Sequence, residues 1–111
     1  MKALRIEIKG RVQGVNFRYI CREFCLQEKI NGFVRNAENG DAEIIAQGDE
    51  GKLNKLLNWL KKSPGFSKIE EIEVFEIKMK KKFDSFEIVR NGSYIIDKIE
   101  GVKNLGRRVF R

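Results

Sequence analysis

The segment Gly10–Arg18, with the sequence GRVQGVNFR, contains residues suited to bind an anion. It leads from an alternating apolar and charged stretch into a helical pattern, and the N-terminus of a helix has free backbone N–H groups. Its glycines, Gly10 and Gly14, allow the backbone to bring such groups close to a ligand. The segment has neither the Walker lysine nor the three-glycine spacing of dinucleotide sites. We therefore expect a single phosphate or another oxyanion here, rather than a nucleotide.

Arg18, at the end of this segment, adds a permanent positive charge. Its planar guanidinium can hold two phosphate oxygens at once, a geometry that a lysine cannot reproduce. Without its surroundings, an arginine in the first turn of a helix is most simply a solvated surface residue. The adjoining loop favours phosphate binding.

Asn36 is the second candidate and shortly precedes the dipeptide Asn39-Gly40. This dipeptide separates two short predicted β segments, 31–36 and 41–47, which is typical of a β-hairpin. Taken alone, Asn36 is as readily explained as a turn-capping residue, because asparagine often stabilises turns. Its role therefore depends on what the fold places beside it.

The elements that must position these groups follow from the apolar periodicity. Alternation over residues 4–8 predicts a first strand that ends near residues 10–12. From Phe17 onwards the apolar residues recur at helical spacing, which predicts a helix over 17–28 with Asn16 as its N-cap. The hairpin supplies the second and third strands.

The second half of the chain repeats this alternation of helix and strand. A helix with Asp49 as its N-cap ends at the break Ser63-Pro64-Gly65. Its buried stripe is predicted to consist of Leu53, Leu56, Leu57 and Leu60. Over 69–79 the apolar positions change from even to odd, which predicts a strand with a bulge or a change of face. Phe86 and Ile88 belong to a further strand.

This order predicts an α+β fold, a ferredoxin-like α/β sandwich. It has βαββαβ order, an antiparallel sheet with two helices on one face, and an additional C-terminal strand. We expect the helix over 17–28 to return the chain so that the second strand lies beside the first, which brings Arg18 and Asn36 to the same end of the sheet.

Residues 1–91 are assigned to this domain, and residues 92–111 to a basic C-terminal extension that packs on or trails it. In the extension, apolar residues are candidates for packing or for an oligomer contact, and arginines for contact with an anionic partner. The apolar residues are Tyr94, Ile95, Ile96 and Ile99, and the arginines are Arg107, Arg108 and Arg111.

The composition limits the classes of function. With 111 residues, 41% of them hydrophobic, the chain fits one domain, and its net charge of +7 favours anionic partners. The N-terminus has no continuous apolar run, so we expect no signal peptide or membrane span and a cytoplasmic location. The chain has no histidine, which excludes histidine triads and His/Cys zinc sites. Cys21 and Cys25 are expected to be buried and reduced.

The sequence resembles the acylphosphatase family. GRVQGVNFR matches, at every fixed position, the signature that acylphosphatases carry after their first strand. GFVRNAENGDAE, residues 32–43, resembles their second signature, around the catalytic asparagine. The segment Ala46-Gln47-Gly48 and the Ser-Pro-Gly break are also similar, and the likeness spans roughly residues 1–90 in order. Two signatures in register are hard to obtain by chance.

The resemblance implies a hydrolase, free of metals and cofactors, that cleaves acyl phosphates, the anhydrides of a carboxylic acid and phosphate. It implies that the amides of Gly14–Arg18 and the Arg18 side chain bind the phosphoryl group, while Asn36 positions the attacking water. The phosphate-binding residues are then Gln13, Gly14, Val15, Asn16, Phe17 and Arg18. A carboxylate is a good leaving group, so positioning and charge stabilisation can suffice.

Several of these residues also have simpler structural interpretations. Gln13 is suited to bracing the loop, Val15 and Phe17 to anchoring it in the core, and Gly40 to the positive φ of the hairpin. Asn16 is expected to cap the helix, with an added contact to phosphate allowed.

Two other functions compete with this one. Basic ferredoxin-like sheets also bind RNA on exposed aromatic residues, but Phe33 is the only aromatic residue of segments 31–36 and 41–47. A regulatory domain like the N-terminal module of hydrogenase-maturing carbamoyltransferases is the other. Those proteins continue into zinc-binding cysteine pairs, which this sequence lacks. We therefore expect a monomeric enzyme with a small-molecule acyl phosphate substrate and neither a membrane nor a nucleic-acid partner.

Overall fold

The computed structural model describes residues 1–90 and 103–110. The elements are β1 (Lys2–Arg11), α1 (Phe17–Glu28), β2 (Asn31–Asn36), β3 (Ala42–Gly48), α2 (Glu50–Lys61), β4 (Lys68–Lys78), β5 (Phe86–Val89) and β6 (Lys103–Phe110). The predicted order of helices and strands is confirmed through β5, and β6 follows in the C-terminal extension. The expectations for Tyr94, Ile95, Ile96, Ile99 and Arg111 lie outside the described residues.

The six strands form one sheet in the order β5-β2-β3-β1-β4-β6. All neighbours are antiparallel except β2 and β5, which are parallel, so the sheet is mixed at this pair. The prediction that β2 lies beside β1 was wrong, because β3 lies between them and pairs with both. Strands β1 and β2, which α1 connects, run parallel to each other and leave room for one strand between them. The hairpin after β2 places β3 in this position, where it pairs in antiparallel fashion with both.

Helices α1 and α2 cover one face of the sheet, as predicted. The core between helices and sheet holds the four predicted leucines of α2, the alternating apolar residues of β1, and both cysteines, which are free. Burial of one such large apolar side chain contributes about 1.5–3 kcal/mol. Asp49 is the N-cap residue of α2, although its side chain makes no capping hydrogen bond within the described structure. Neither of these two helices has the length and apolar character that a membrane crossing requires.

The opposite face of the sheet is partly covered by residues 79–85, which connect β4 to β5. The Gln47 side chain holds this segment, since it donates a hydrogen bond to the Lys81 carbonyl at 2.6 Å and accepts one from the Phe83 N–H at 2.8 Å. The ring of Phe83 meets Phe33 edge-on at 5.8 Å between centroids, and Phe33 is only 2% exposed. Phe33 therefore offers no surface on which an RNA base can stack.

The change of apolar periodicity in β4 arises because both of its faces are buried. Ile72 and Val74 belong to the core under the helices, whereas Ile77 belongs to the cluster on the opposite face. The register with β1 is continuous through these residues and shifts only near the start of β4, where Glu70 is the extra residue. The change of face is thus confirmed. The register of β4 with its other neighbour, β6, does shift at this point, between Glu76 and Ile77.

Gly32, in β2, gives a prediction for stability. Its φ is 141°, and a Cβ at this position would overlap the carbonyl oxygen of Ile45. Gly32→Ala should therefore lower the free energy of unfolding by about 2–3 kcal/mol, measured by chemical denaturation. Gly51→Ala is the control, because Gly51 lies in α2 with open space where its Cβ would be, and alanine favours helices by up to about 1 kcal/mol. Equal effects of the two substitutions would contradict the prediction.

Candidate active site

The loop between β1 and α1 has the backbone geometry of an anion-binding loop. Gly14 and Asn16 have positive φ angles of 72° and 63°, whereas Val15 between them does not. Such alternation turns successive N–H groups towards one concave side, an arrangement called a nest. Phe17 is buried and Val15 packs against the same core, so both anchor the loop as predicted.

The N-terminus of α1 leaves its first N–H groups available to a ligand. The expected capping bond from Asn16 was wrong: Asn16 is the N-cap residue, but its side chain makes no capping hydrogen bond in the described part of the chain. Its left-handed backbone differs from the extended conformation in which N-cap side chains reach the next N–H groups. The first turn also has no acidic residue, so its N–H groups and the helix dipole favour an anion.

Arg18 lies in this first turn and is half-buried. Among the described residues, its guanidinium forms no ion pair with a carboxylate. A cation in this position next to free N–H groups is suited to hold an oxyanion.

Asn36 lies at the same end of the sheet. In β3, Ala42 faces both Ile8 of β1 and Asn36 of β2, so β1 and β2 run in the same direction. Asn36, the last residue of β2, is level with Ile8, three residues before the end of β1. Two strand spacings, about 10 Å, separate them. Side chains alternate along a strand, and Val34 faces the helices, so Asn36 also faces the helix layer, which contains Arg18. The structure thus brings Arg18 and Asn36 to one corner of the fold.

The carboxamide oxygen of Asn36 is buried and accepts no hydrogen bond from any described residue. An unpaired buried polar group costs about 1–3 kcal/mol, so this oxygen is suited to accept a hydrogen bond from a bound molecule. On the opposite face of the sheet, Arg35 and Glu43 form an ion pair at 2.7 Å, and the Glu43 side chain is only 7% exposed. This pair joins β2 to β3 directly beside Asn36.

Gln13 links the loop to the hairpin. Its Nε2 donates a hydrogen bond to the Ala37 carbonyl at 3.4 Å, a long and therefore weak bond. The hairpin is closed by the Ala37 N–H, which donates to the Asp41 carbonyl at 2.7 Å, and Gly40 has a φ of 93°. The bracing role predicted for Gln13 and the turn role predicted for Gly40 are both confirmed.

Three side chains beside this corner were missed in the sequence: Tyr19, Arg22 and Arg90, together called the tyrosine–arginine cluster. Arg90 Nη2 donates a hydrogen bond to the Tyr19 hydroxyl at 2.7 Å. The guanidinium carbons of Arg22 and Arg90 lie 5.6 and 5.4 Å from the centre of the Tyr19 ring. The spacing of Arg18 and Arg22 along α1 was a usable signal. Arg90 joins them only because β5 pairs with β2.

Arg90 lowers the pKa of Tyr19, first through its hydrogen bond and then through its charge, and Arg22 and Arg18 act in the same direction. Tyr19 should therefore ionise below the ordinary tyrosine pKa of about 10. Ultraviolet titration of a Tyr94→Phe background, which leaves Tyr19 as the one tyrosine of the chain, measures this pKa. Adding Arg90→Gln removes a cation that stabilises the phenolate, so the transition should move to higher pH. An unmoved transition would contradict the assigned contact.

The groups that converge on this corner are backbone N–H donors, guanidinium cations and a carboxamide. This set suits a phosphate or another oxyanion. In the described ranges, no three Cys, Asp or Glu side chains lie close enough together to hold a metal ion.

Comparison with known proteins identifies the family. The acylphosphatase family model matches residues 4–88. An acylphosphatase of Syntrophus aciditrophicus (strain SB) is 36% identical over 89 residues, 80% of this chain and 93% of that protein. The crystal structure of acylphosphatase from Bacillus subtilis is similar with a TM-score of 0.76 and 37% identity, covering 80% and 99% of the two chains. The T. kodakarensis HypF structure is similar over 80% of this chain and 12% of its own, with a TM-score of 0.71 and 29% identity. With matches that extend over both signature segments, the chain belongs to the acylphosphatase family.

Proposed function

We propose that this chain hydrolyses small-molecule acyl phosphates to a carboxylate and phosphate, with Arg18 and Asn36 as its catalytic residues. The observation that carries this proposal is the buried carboxamide oxygen of Asn36, which is unused by the described protein groups and lies at the corner where α1 begins. A polar atom of this kind is suited to orient a water molecule.

The phosphoryl group binds in the loop of residues 13–18. The amides of Gly14–Arg18 surround it, the Arg18 guanidinium grips two of its oxygens, and Gln13 braces the loop against the hairpin. These donors are in place before the substrate binds, so they stabilise the charge on the phosphoryl oxygens in the transition state without reorganisation.

The water binds to the Asn36 oxygen and attacks phosphorus in line with the bond that breaks. A new P–O bond forms as the bond to the acyl oxygen breaks, and the carboxylate leaves with that electron pair. Both hydrogens of the water remain on the phosphate product. Since a carboxylic acid has a pKa of about 4, the leaving group needs no acid, and positioning with charge stabilisation carries the reaction.

Residues 1–91 form the catalytic unit in this proposal, and the basic extension of residues 92–111 follows it. The family match ends at residue 88, so it contains both proposed catalytic residues and the whole loop of residues 13–18. Beyond it, β6 pairs with β4 from Ile72 to Lys78 and continues the same sheet. A cytoplasmic monomer stays a prediction, which cell fractionation and size-exclusion chromatography test.

The proposal is tested by hydrolysis of benzoyl phosphate, a chromophoric acyl phosphate, in the presence of a chelator. We expect the protein to hydrolyse benzoyl phosphate under these conditions. It should not hydrolyse p-nitrophenyl phosphate, a monoester whose leaving group is far more basic than a carboxylate. No hydrolysis of the acyl phosphate would overturn the function. Activity that the chelator abolishes would overturn the metal-free mechanism, and rapid cleavage of the monoester would contradict the leaving-group argument.

A further inference from the structure

We propose that the tyrosine–arginine cluster binds a second negatively charged group, on the acyl part of the substrate. The inference rests on the proposed function, because it concerns the same site. The preferred substrates would be acyl phosphates whose acyl chain ends in an anion, either a carboxylate or a phosphate.

Arg90 borders the site from the side of the sheet. Strand β5 runs parallel to β2, and Val89 pairs with Arg35, so Arg90 is level with Asn36. From there its side chain reaches α1, where it donates the hydrogen bond to Tyr19. The cluster therefore bridges the two elements that supply the proposed catalytic residues.

Tyr19 borders the site from the outer side of α1. It follows Arg18, whose charge acts on the phenol. Each residue turns a helix by about 100°, so the side chains of Phe17 and Tyr19, two residues apart, project in roughly opposite directions. Since Phe17 is buried against the sheet, Tyr19 points away from the sheet. Asn36 lies in the sheet layer, and an in-line displacement puts the leaving group opposite the water. The acyl part therefore lies on the outer side, where Tyr19 projects.

The cluster offers hydrogen-bond donors and positive charge. The Tyr19 oxygen accepts a hydrogen bond from Arg90, which leaves the phenolic hydrogen free to be donated. In the described structure, Arg90 pairs with no carboxylate, and Arg22 has only Glu23, 3.8 Å away and 72% exposed. The Nε of Arg22 is buried without a hydrogen-bond partner among the described residues. Two guanidinium groups around one hydroxyl favour an anionic ligand.

The test compares kcat/KM for succinyl phosphate with that for butanoyl phosphate, which has the same chain length but no terminal carboxylate. We expect the wild type to prefer succinyl phosphate by about tenfold, equivalent to about 1.4 kcal/mol. Arg90→Gln and Arg22→Gln should each reduce this ratio, and the double substitution should bring it close to one. Because Tyr19 and Arg90 are exposed to solvent, the preference should also fall as salt is added.

Arg108→Gln is the matched control. Arg108 is an exposed arginine on β6, the edge strand at the opposite end of the strand order from β5. Its substitution changes the net charge by the same amount as a cluster substitution but should leave the ratio unchanged. Tyr19→Phe, which keeps the ring, tests the cluster if an arginine variant fails to fold, and it should also lower the ratio.

The outcomes separate this inference from the proposed function. Hydrolysis of none of the acyl phosphates would overturn the proposed function. The second anion site alone would be overturned if the wild type showed equal kcat/KM values for succinyl phosphate, for an acyl phosphate that ends in a phosphate and for butanoyl phosphate, or if the folded cluster variants kept the wild-type ratio. The charged substrate with the larger kcat/KM identifies the preferred terminal group.

Discussion

Replacement of Arg18 with lysine should lower kcat/KM for benzoyl phosphate by about 10²- to 10³-fold. Lysine keeps the positive charge but lacks the planar fork that matches two phosphoryl oxygens. The loss should appear in the transition state, where the equatorial oxygens of the transferred group carry the charge. Steady-state kinetics measure this loss, and inorganic phosphate should become a weaker competitive inhibitor, because it uses the same contacts.

The control for this substitution is Arg108→Lys, which makes the same chemical change at an exposed position of β6. Circular dichroism should show both variants folded. Wild-type kinetics in Arg18→Lys would mean that another group holds the phosphoryl oxygens.

Asn36→Ala should lower kcat by about 10²- to 10³-fold while KM changes little. The contacts to the phosphoryl group remain in this variant, whereas the attacking water loses the acceptor that orients it. Although kcat falls, the free energy of unfolding of this variant should not fall. Because the Asn36 oxygen is buried without a partner among the described residues, its removal should leave the free energy of unfolding unchanged or raise it by up to about 1–3 kcal/mol.

Kinetics and denaturation of the same Asn36→Ala protein therefore distinguish catalysis from a role in the turn. A turn-stabilising asparagine would lose stability on substitution and lose activity only as a consequence. Asn31→Ala, at the other end of β2, is the control and should retain kcat. An Asn36→Ala enzyme that is less stable but retains the wild-type kcat would contradict the assignment.

The local elements of this fold could be predicted because their signals are local. Helix α1 spans Phe17–Glu28 as predicted, since its apolar spacing is uninterrupted, and α2 stops before the Ser63-Pro64-Gly65 break. The order of the strands in the sheet could not be predicted in this way. It includes β3 between β1 and β2 and the parallel pairing of β5 with β2. Both depend on contacts between distant segments, whereas the spacing of apolar residues indicates only whether a segment is a strand or a helix.

The residues of the candidate site also differ in whether local sequence patterns predict them. The loop around Gly14 and Arg18 could be read from a contiguous motif, and the hairpin places Asn36. The Tyr19–Arg90 contact joins residues 71 positions apart, so no local pattern indicates it. The failed cap at Asn16 has another cause, because its left-handed backbone is imposed by the loop as a whole and residue type alone predicts the commoner capping conformation.

The pairing of β6 with β4 also changes which strand forms this edge of the sheet. The family match ends before β6, and without that strand the 11 residues of β4 would form an open sheet edge with unpaired backbone groups. Such an edge is a template for strand addition and aggregation. In its place the outer strand is β6, which has three basic residues and a break in its register opposite Glu76 and Ile77. Like charge and an irregular ladder both disfavour intermolecular pairing, so we expect the extension to reduce aggregation at this edge of the sheet.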